Sequence, residues 1–340
     1  MKKKISSHLF QLLKIGLAVG LLIYLVRSGR LDLAKLQSLL SPDFVILGFT
    51  LIGVILFLTS ERWRLLLRQQ NFKIAPVAAF KLTLIGNFFN MFVPGGVGGD
   101  LVKAVLIAKD HPGRRGEGAL TVLVDRVLGL FTMTLLALAS FSFEPELLQK
   151  DGSVQVIFIG LICLLFGFLF AFWLLLSKHA TRLRSFVEVL TIRVQRLHKL
   201  WIFAQSYRLS TTELLKLFLL SLGSQLCSIL FFMLTAYKLA DFQYPGAFFF
   251  SVPVGFMVMA VPLAPGGIGI GQAAFYYLFT KAFGRPTEIG TVGVTGFQAF
   301  QIAYGMIGAG LFVLLKRAKP ELSMQNLEKS AEALTQQGQN

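Results

Sequence analysis

The sequence has few charged residues, few cysteines and no recognisable catalytic motif. Only 15% of its 340 residues are charged and 55% are hydrophobic, whereas an average soluble domain has about 25% charged residues. The two cysteines, Cys163 and Cys227, lie in long apolar runs, which excludes a disulfide framework and a paired-cysteine metal site. The four histidines lack metal-ligand spacing, and the HExxH, GxSxG and Walker patterns do not occur. We therefore expect an integral membrane protein without a cofactor, a metal ion or catalytic residues.

The long apolar runs predict the fold class. A helix needs about 20 mostly apolar residues to cross a bilayer. Six runs meet this length: 9–26, 43–60, 119–143, 154–177, 214–240 and 289–315. Two further stretches, 76–108 and 245–283, are interrupted near their middles by proline and glycine, and each half is short for a full crossing. The sequence predicts an all-α, polytopic membrane helix bundle with six spans and two re-entrant helical hairpins.

The net charge of +16 is explained by membrane topology. Cytoplasmic loops of membrane proteins carry an excess of Lys and Arg. If the lysine-rich N-terminus is cytoplasmic, the outer segments hold equal numbers of basic and acidic residues, so the whole excess falls on the inner side. Both termini and loops 62–75, 109–118 and 178–213 are then cytoplasmic, and loops 144–153 and 241–246 are outside. This distribution argues against a nucleic-acid partner.

A glycine-rich motif occurs twice. The string PGGVGG at 94–99 is matched by PGGIGI at 265–270, an offset of 171 residues, and the neighbouring apolar runs follow the same offset. Under the predicted topology the two halves, about 9–143 and 154–317, are inverted relative to each other, followed by a polar cytoplasmic tail at 318–340. Broken helices in matching positions of inverted repeats are typical of transporter binding sites. The alternative is that the glycines only allow close helix packing.

Three motifs carry a resemblance to a known family. The string NFFNMFVPGGVGGDLVK at 87–103, DRVLG at 125–129 and APGGIG at 264–269 resemble the flippase-like, lysylphosphatidylglycerol-synthase transmembrane family, which includes the membrane domain of multiple peptide resistance factors. The resemblance covers about 9–317 and implies a bacterial plasma-membrane protein that moves, or helps to handle, a polar-headed lipid. The late motif departs from the family pattern, since IGQ stands where an Arg-Glu pair is common. The chain as given carries no aminoacyl-transferase domain, so lipid aminoacylation is not implied.

Polar residues near the two motifs are the candidate site. They are Asn87, Asn90, Pro94, Gly95, Gly96, Gly98, Asp100, Lys103, Asp125 and Arg126 in the first half, and Pro265, Gly266, Gly267, Gly269, Gln272, Gln298, Gln301 and Tyr304 in the second. Asp100 and Lys103 can pair across one helical turn. Asp125 and Arg126 are adjacent and point about 100° apart, so they cannot satisfy only each other. We expect at least one of them to face the bundle interior, towards Asp100 and Lys103. Charges inside a membrane mark function by default, and the alternative is a structural cluster that braces the hairpin.

The second-half polar residues are interpreted in the same way. Gln298, Gln301 and Tyr304 recur every three residues and predict one polar stripe, with Gln225 and Gln272 facing the same interior. Such uncharged residues also serve simply to join helices.

Three functions are compatible with these features. The first is a lipid transporter whose partners are anionic or lipid-linked membrane lipids. The second is an enzyme or accessory subunit that acts on a lipid-linked substrate with Asp100 or Asp125 as a base. The third is a transporter of ions or small solutes. A lateral opening to lipid favours the first function, and a closed aqueous path favours the third. Homo-oligomerisation stays open.

Overall fold

The computed structural model describes residues 22–92, 98–110, 114–176, 210–242, 244–261 and 264–318, with isolated positions at 20 and between 185 and 205. Within these ranges the chain is helical and has no strand. The helices are α1 (Leu33–Ser38), α2 (Pro42–Gln69), α3 (Pro76–Phe92), α4 (Gly98–Asp110), α5 (Arg115–Phe143), α6 (Leu147–Lys150), α7 (Gly152–Leu176), α8 (Thr211–Lys238), α9 (Pro245–Ala260), α10 (Ile270–Phe283) and α11 (Ile289–Ala318).

Five of the described helices are long and apolar enough to cross a membrane: α2, α5, α7, α8 and α11. They correspond to five of the six predicted spans, which confirms the all-helical membrane fold. The predicted span at 9–26, most of loop 178–213 and the tail at 318–340 lie largely outside the described residues. The structure corrects one boundary, because α2 continues to Gln69, beyond the predicted end at residue 60.

Local sequence signals account for several helix boundaries. Pro42 stands in the first turn of α2, where its missing N–H is not needed. Ser210 and Glu213 form a reciprocal capping box at the start of α8. At the C-terminal end of α10, Gly284 adopts the left-handed conformation that ends many helices.

The helices end at two opposite ends of the bundle. We name the end that contains Gln69 and Arg114 end A, and the end that contains Asp43 and Asp151 end B. At end A, Gln69 donates to Glu213, and Arg114 donates to the carbonyl of Gln70. End B is joined by four ion pairs: Lys35–Glu288, Asp43–Lys238, Asp151–Lys281 and Asp241–Arg285. The bond from Lys281 lowers the pKa of the Asp151 carboxyl to about 2. The sequence assigns all eight of these residues to one side, and the structure places them at one end.

The outer ends of each pair of short helices lie close together. Helix α3 follows the end of α2, and α4 finishes just before Arg114, so both have their outer ends at end A. In the second pair, Tyr244 precedes α9 and its hydroxyl donates to the carbonyl of Ala282, near the end of α10, at 2.8 Å. Near the two breaks, Met91 on α3 packs against Gly266.

The helices break where the sequence predicts. Helix α3 ends at Phe92 and α4 begins at Gly98, so Pro94, Gly95 and Gly96 themselves lie outside the described residues. In the second pair, Pro265–Gly267 forms a single 3₁₀ turn. Gly266, Gly267 and Gly269 have φ values of 56°, 69° and 83°, which disfavour any residue with a Cβ.

The interior is built from close backbone contacts and phenylalanine. A Cβ on Gly99 would lie 1.9 Å from the carbonyl oxygen of Gly86, so α3 and α4 touch through their backbones. A Cβ on Gly308 would lie 2.0 Å from the carbonyl oxygen of Leu84, which seats α11 equally closely on α3. On the other side of the bundle, buried rings from four helices stack or meet edge to face: Phe231, Phe232, Phe248, Phe275, Phe279 and Phe297.

Candidate functional site

A cavity of about 640 Å³ lies among α2, α3, α4, α5 and α8, next to the end of α9. Apolar side chains such as Ile55, Leu56 and Met133 contribute to its lining, together with charged and neutral polar ones. The polar lining residues are Thr59, Arg62, Thr83, Asn87, Asn90, Asp100, Lys103, Asp125, Arg126, Ser224, Gln225 and Gln301. Charged side chains in a cavity inside an apolar bundle indicate a space for water or for a polar ligand.

The first ion pair of the cavity joins the buried Arg62 on α2 to Asp125 on α5. The Nε and Nη2 of Arg62 donate to the two carboxylate oxygens of Asp125 at 2.6 and 3.0 Å. The remaining Nη1 donates to the hydroxyl of Ser221 on α8. The side chain of Arg62 is only 7% exposed. Bidentate pairing with the guanidinium satisfies both oxygens of the carboxylate. Together with the bond to Ser221, it joins α2, α5 and α8 at one point.

The second ion pair connects α5 to the start of α4. The Nε and Nη2 of Arg126 lie 2.7 and 2.6 Å from Oδ2 of Asp100. The Arg126 side chain is 41% exposed and that of Asp100 is 13% exposed. The guanidinium of Arg126 is therefore accessible to a ligand in the cavity, whereas that of Arg62 is buried. Asp125 and Arg126 find separate partners, as their adjacent positions predict.

Lys103 is the fifth charged residue of the cavity lining. We name these five residues, Arg62, Asp100, Lys103, Asp125 and Arg126, the charged wall. The ammonium nitrogen of Lys103 lies 5.1 Å from the centroid of the Trp63 ring, a cation–π geometry. The indole of Trp63 in turn donates to the hydroxyl of Thr121 at 3.1 Å. The predicted pair between Asp100 and Lys103 is not the arrangement observed, because the packing of α4 on α5 brings Asp100 to Arg126 instead.

Asn87 and Asn90 secure the α3–α4 pair. Asn90 accepts a hydrogen bond from the backbone N–H of Gly99 at 2.9 Å, which fixes the start of α4. Asn87 donates to the carbonyl of Gln301 on α11 at 2.8 Å. Both asparagines also line the cavity, so they support its wall and face its interior.

The second-half candidates form a separate network at the other tip. The N–H of Gly269 donates to Gln272 at 2.7 Å, Gln272 donates to Gln298 at 2.7 Å, and Gln298 donates to the carbonyl of Gly266 at 3.0 Å. This chain of bonds satisfies the polar groups freed by the turn. From the second half, the cavity is lined by Ser224, Gln225, Ala260 and Gln301.

The predicted polar stripe on α11 divides between three environments. Gln298 binds the tip and Gln301 lines the cavity. The hydroxyl of Tyr304 points to α2, where it donates to the carbonyl of Phe49 at 2.9 Å. Tyr304 therefore contributes to helix packing, because its long side chain reaches the neighbouring helix before it reaches the cavity.

Arg62 is the main residue that the sequence does not single out. It follows the predicted end of a span and is flanked by Glu61 and Arg64, so it is typical of a charged loop. In the structure Glu61 and Arg64 pair with each other on the same helix, and only Arg62 turns inward. One signal could have found it: Asp125, inside a span, requires a cation from another helix.

The charged wall belongs to the first half alone. At the offset of 171 residues, Arg62, Asp125 and Arg126 correspond to Met233, Gly296 and Phe297. Among the residues that the structure describes, no group of three His, Cys, Asp or Glu side chains could hold a metal ion. The charged groups of the cavity lining are the side chains of Arg62, Lys103, Arg126, Asp100 and Asp125.

Some apolar side chains of the cavity lining are also exposed. Leu101 on α4 and Leu123 on α5 line the cavity, and each is about half-exposed. Arg126 lies one helical turn beyond Leu123 on the same face of α5. Exposed apolar side chains and a guanidinium therefore lie side by side in this lining.

Comparison with known proteins identifies the family. A family model described as the transmembrane region of lysylphosphatidylglycerol synthase matches residues 11–309. A curated "UPF0104 membrane protein" of Methanothermobacter thermautotrophicus is 29% identical over 126 residues, which cover 36% of this chain and 36% of that protein. The match thus spans about a third of its relative, and no solved structure matches the chain. With the family model extending over both pairs of short helices and over the helices that line the cavity, the chain belongs to the family of the lysylphosphatidylglycerol synthase transmembrane region.

Proposed function

We propose that this protein is a flippase-like lipid transporter that passes the polar headgroup of an anionic or lipid-linked membrane lipid through the cavity while the acyl chains stay in the bilayer. The observation that carries the proposal is the mixed lining of the cavity. Cations and neutral polar groups line it beside apolar side chains, of which Leu101 and Leu123 are about half-exposed. An amphipathic lipid likewise combines a polar headgroup with apolar chains.

The depth of the cavity supports a lipid ligand. Helices α2 and α5 have 28 and 29 residues, so each is about 42 Å long and overhangs a hydrocarbon core of about 30 Å. Arg62 lies about 10 Å from the end of α2, and Leu123 about 12 Å from the start of α5, both measured from end A. These lining residues then lie just inside the boundary between the headgroups and the acyl chains of one leaflet.

The polar groups of the cavity suit a phosphate-bearing headgroup. Arg62, Lys103 and Arg126 face Asp100 and Asp125, which leaves one excess positive charge among these lining residues.

The arrangement of the helices supports alternating access. In this proposal α3–α4 and α9–α10 are re-entrant hairpins that enter the membrane from opposite sides, and their tips form the barrier between the leaflets. End A is cytoplasmic, the two halves are an inverted repeat, and the protein resides in a bacterial plasma membrane with both termini inside. Inverted repeats with a site near their interface are a common transporter design.

The topology can be tested by single-cysteine labelling in a background that lacks Cys163 and Cys227. We expect a cysteine at Asn71, in the loop after α2, to react only from the cytoplasmic side, and a cysteine at Gln149, at end B, only from outside. The measurement is labelling by an impermeant maleimide in oriented vesicles. Reaction of both positions from the same side would contradict the inverted arrangement.

The transport function is tested by Arg126→Gln in proteoliposomes. We expect at least a tenfold loss of translocation of a headgroup-labelled anionic phospholipid, since a charge-assisted bond to phosphate contributes about 1.5–3 kcal/mol. The melting temperature changes little, because this side chain is 41% exposed. The matched control is Glu117→Gln, which alters an ion pair at the start of α5 away from the cavity. Unchanged translocation in Arg126→Gln would reject the proposed function.

The enzyme alternative would use Asp100 or Asp125 as a base, and each of these carboxylates already accepts hydrogen bonds from an arginine. The exposed leucines of the lining favour a lipid over an ion or a small solute.

A further inference from the structure

The two ion pairs of the cavity differ in what can reach them. Arg62 is only 7% exposed, and its donors are occupied by both carboxylate oxygens of Asp125 and by the hydroxyl of Ser221. Arg126 is 41% exposed, and its partner Asp100 occupies the guanidinium through a single oxygen, Oδ2. Carboxylates and phosphates bind guanidinium in the same bidentate way. A headgroup phosphate would therefore compete with Asp100 for Arg126.

A second cation is placed to receive Asp100 when it is displaced. Lys103 lies three residues further along α4, a spacing at which side chains on one helix face can pair. In the observed structure its ammonium group instead rests over the ring of Trp63. Because an unpaired charge in a low-dielectric site is costly, the exchange is feasible only if Asp100 finds this second partner.

We propose that Asp100 is a specificity-determining switch: it holds Arg126 in the empty cavity, and the phosphate of a monoanionic lipid displaces it onto Lys103. This inference rests on the proposed lipid transport and deepens it. Before the exchange the charged wall has one excess positive charge, and one monoanionic headgroup neutralises it with every ion paired. A zwitterionic headgroup brings an added cation into the same wall and is disfavoured.

The exchange also has a mechanical consequence. Asp100 ties α4 to α5, whereas the contact of Gly99 with Gly86 and the bond from Gly99 to Asn90 keep α4 on α3. Displacement of Asp100 removes the ion pair between α4 and α5 and leaves the apolar cluster that contains Ile107 and Val122. Arg62 and Asp125 continue to hold α2, α5 and α8 together. Binding of the correct headgroup is thereby coupled to weaker attachment of α4 to α5.

The experiment measures binding of dioctanoylphosphatidylglycerol to the purified full-length protein by calorimetry, with dioctanoylphosphatidylcholine and inorganic phosphate as comparison ligands. We expect Asp100→Asn to bind the anionic lipid roughly tenfold more tightly, a change of about 1.4 kcal/mol, because the competitor is gone. Lys103→Gln should bind it more weakly. The double variant should bind as tightly as Asp100→Asn alone, because Lys103 matters only as the second partner of Asp100.

A spectroscopic reading separates the switch from general attraction. In a background where Trp173 and Trp201 are phenylalanine, Trp63 is the only tryptophan and reports the position of Lys103. The anionic lipid should change its emission in the wild type, whereas in Asp100→Asn it should bind without that change. Asp125→Asn removes the same charge from the wall but not the competitor, and it should not tighten binding.

The outcomes distinguish the switch from the transport function. If the wild type neither binds nor translocates the anionic lipid, both proposals fail. If it does both, but Lys103→Gln weakens binding equally with and without Asp100, then Lys103 binds the phosphate directly and the switch is rejected. Equal tightening by Asp100→Asn and Asp125→Asn also rejects it, as does tighter binding of inorganic phosphate than of the lipid.

Discussion

Replacing Arg62 by glutamine is expected to lower the free energy of unfolding by roughly 3–5 kcal/mol, the cost of leaving a buried ion without its partner. The substitution removes both bonds to Asp125 and the bond to Ser221, and it leaves the Asp125 carboxylate inside the bundle. The measurement is reversible unfolding in detergent micelles or a bicelle, followed through the folded fraction.

Two variants control this prediction. The double variant Arg62→Gln/Asp125→Asn should recover most of the lost stability, since two amides can bond to each other and no charge remains buried. Lys238→Gln interrupts an exposed ion pair with Asp43 at end B and should cost less than about 1 kcal/mol. Equal losses in Lys238→Gln and Arg62→Gln would show that the buried cluster has no special role.

Replacing Gly99 by alanine is expected to destabilise the α3–α4 pair by about 3 kcal/mol, at the upper part of the usual range for overpacking. The added Cβ would lie 1.9 Å from the carbonyl oxygen of Gly86 and 2.8 Å from Cγ of Asn90. Because the first obstacle is backbone, the two helices must separate, and the bond between Gly99 and Asn90 is lost with them.

The control for Gly99 is another helical glycine with free space around it. A Cβ on Gly310 meets nothing within 4 Å, so Gly310→Ala should leave stability unchanged or raise it by about 0.5 kcal/mol through helix propensity. Thermal unfolding of both variants in one detergent provides the comparison. A Gly99→Ala protein as stable as Gly310→Ala would contradict the close packing of the hairpin.

The sequence predicts much of the fold because the bilayer demands simple patterns. Hydrophobic length locates five helices that the structure describes, and the two prolines with their glycines locate both breaks. The end of α2 is not predictable in this way. Its last turns contain Glu61, Arg62 and Arg64, and a count of charges cannot show that two of them pair locally while the third turns inward.

The pairing inside the site depends on packing that no local spacing encodes. The interval between Asp100 and Lys103 allows a pair on one helix, yet Asp100 binds Arg126 because α4 lies against α5. Tyr304 has the right interval for the polar stripe but bonds to α2. Residue type and helix face were sufficient to choose candidates, whereas partners required the relative positions of helices that are distant in sequence.

Cysteine trapping with a headgroup-reactive lipid measures whether a lipid headgroup enters the cavity. Thr83 lines the cavity and is 4% exposed, and Leu169 on α7 is 47% exposed on the outer surface. Each lies about 10 Å from the end A terminus of its helix, so the pair is matched in depth. Both cysteines are placed in a background without Cys163 and Cys227 and are exposed to phosphatidylethanolamine that carries a maleimide on its headgroup.

We predict that the cysteine at Thr83 forms the lipid adduct and that the cysteine at Leu169 does not, since headgroups reach that depth only through the cavity. Two results would contradict entry of the headgroup into the cavity. One is a cysteine at Thr83 that reacts with a small water-soluble maleimide but not with the lipid. The other is a cysteine at Leu169 that reacts with the lipid as fast as the cysteine at Thr83 does.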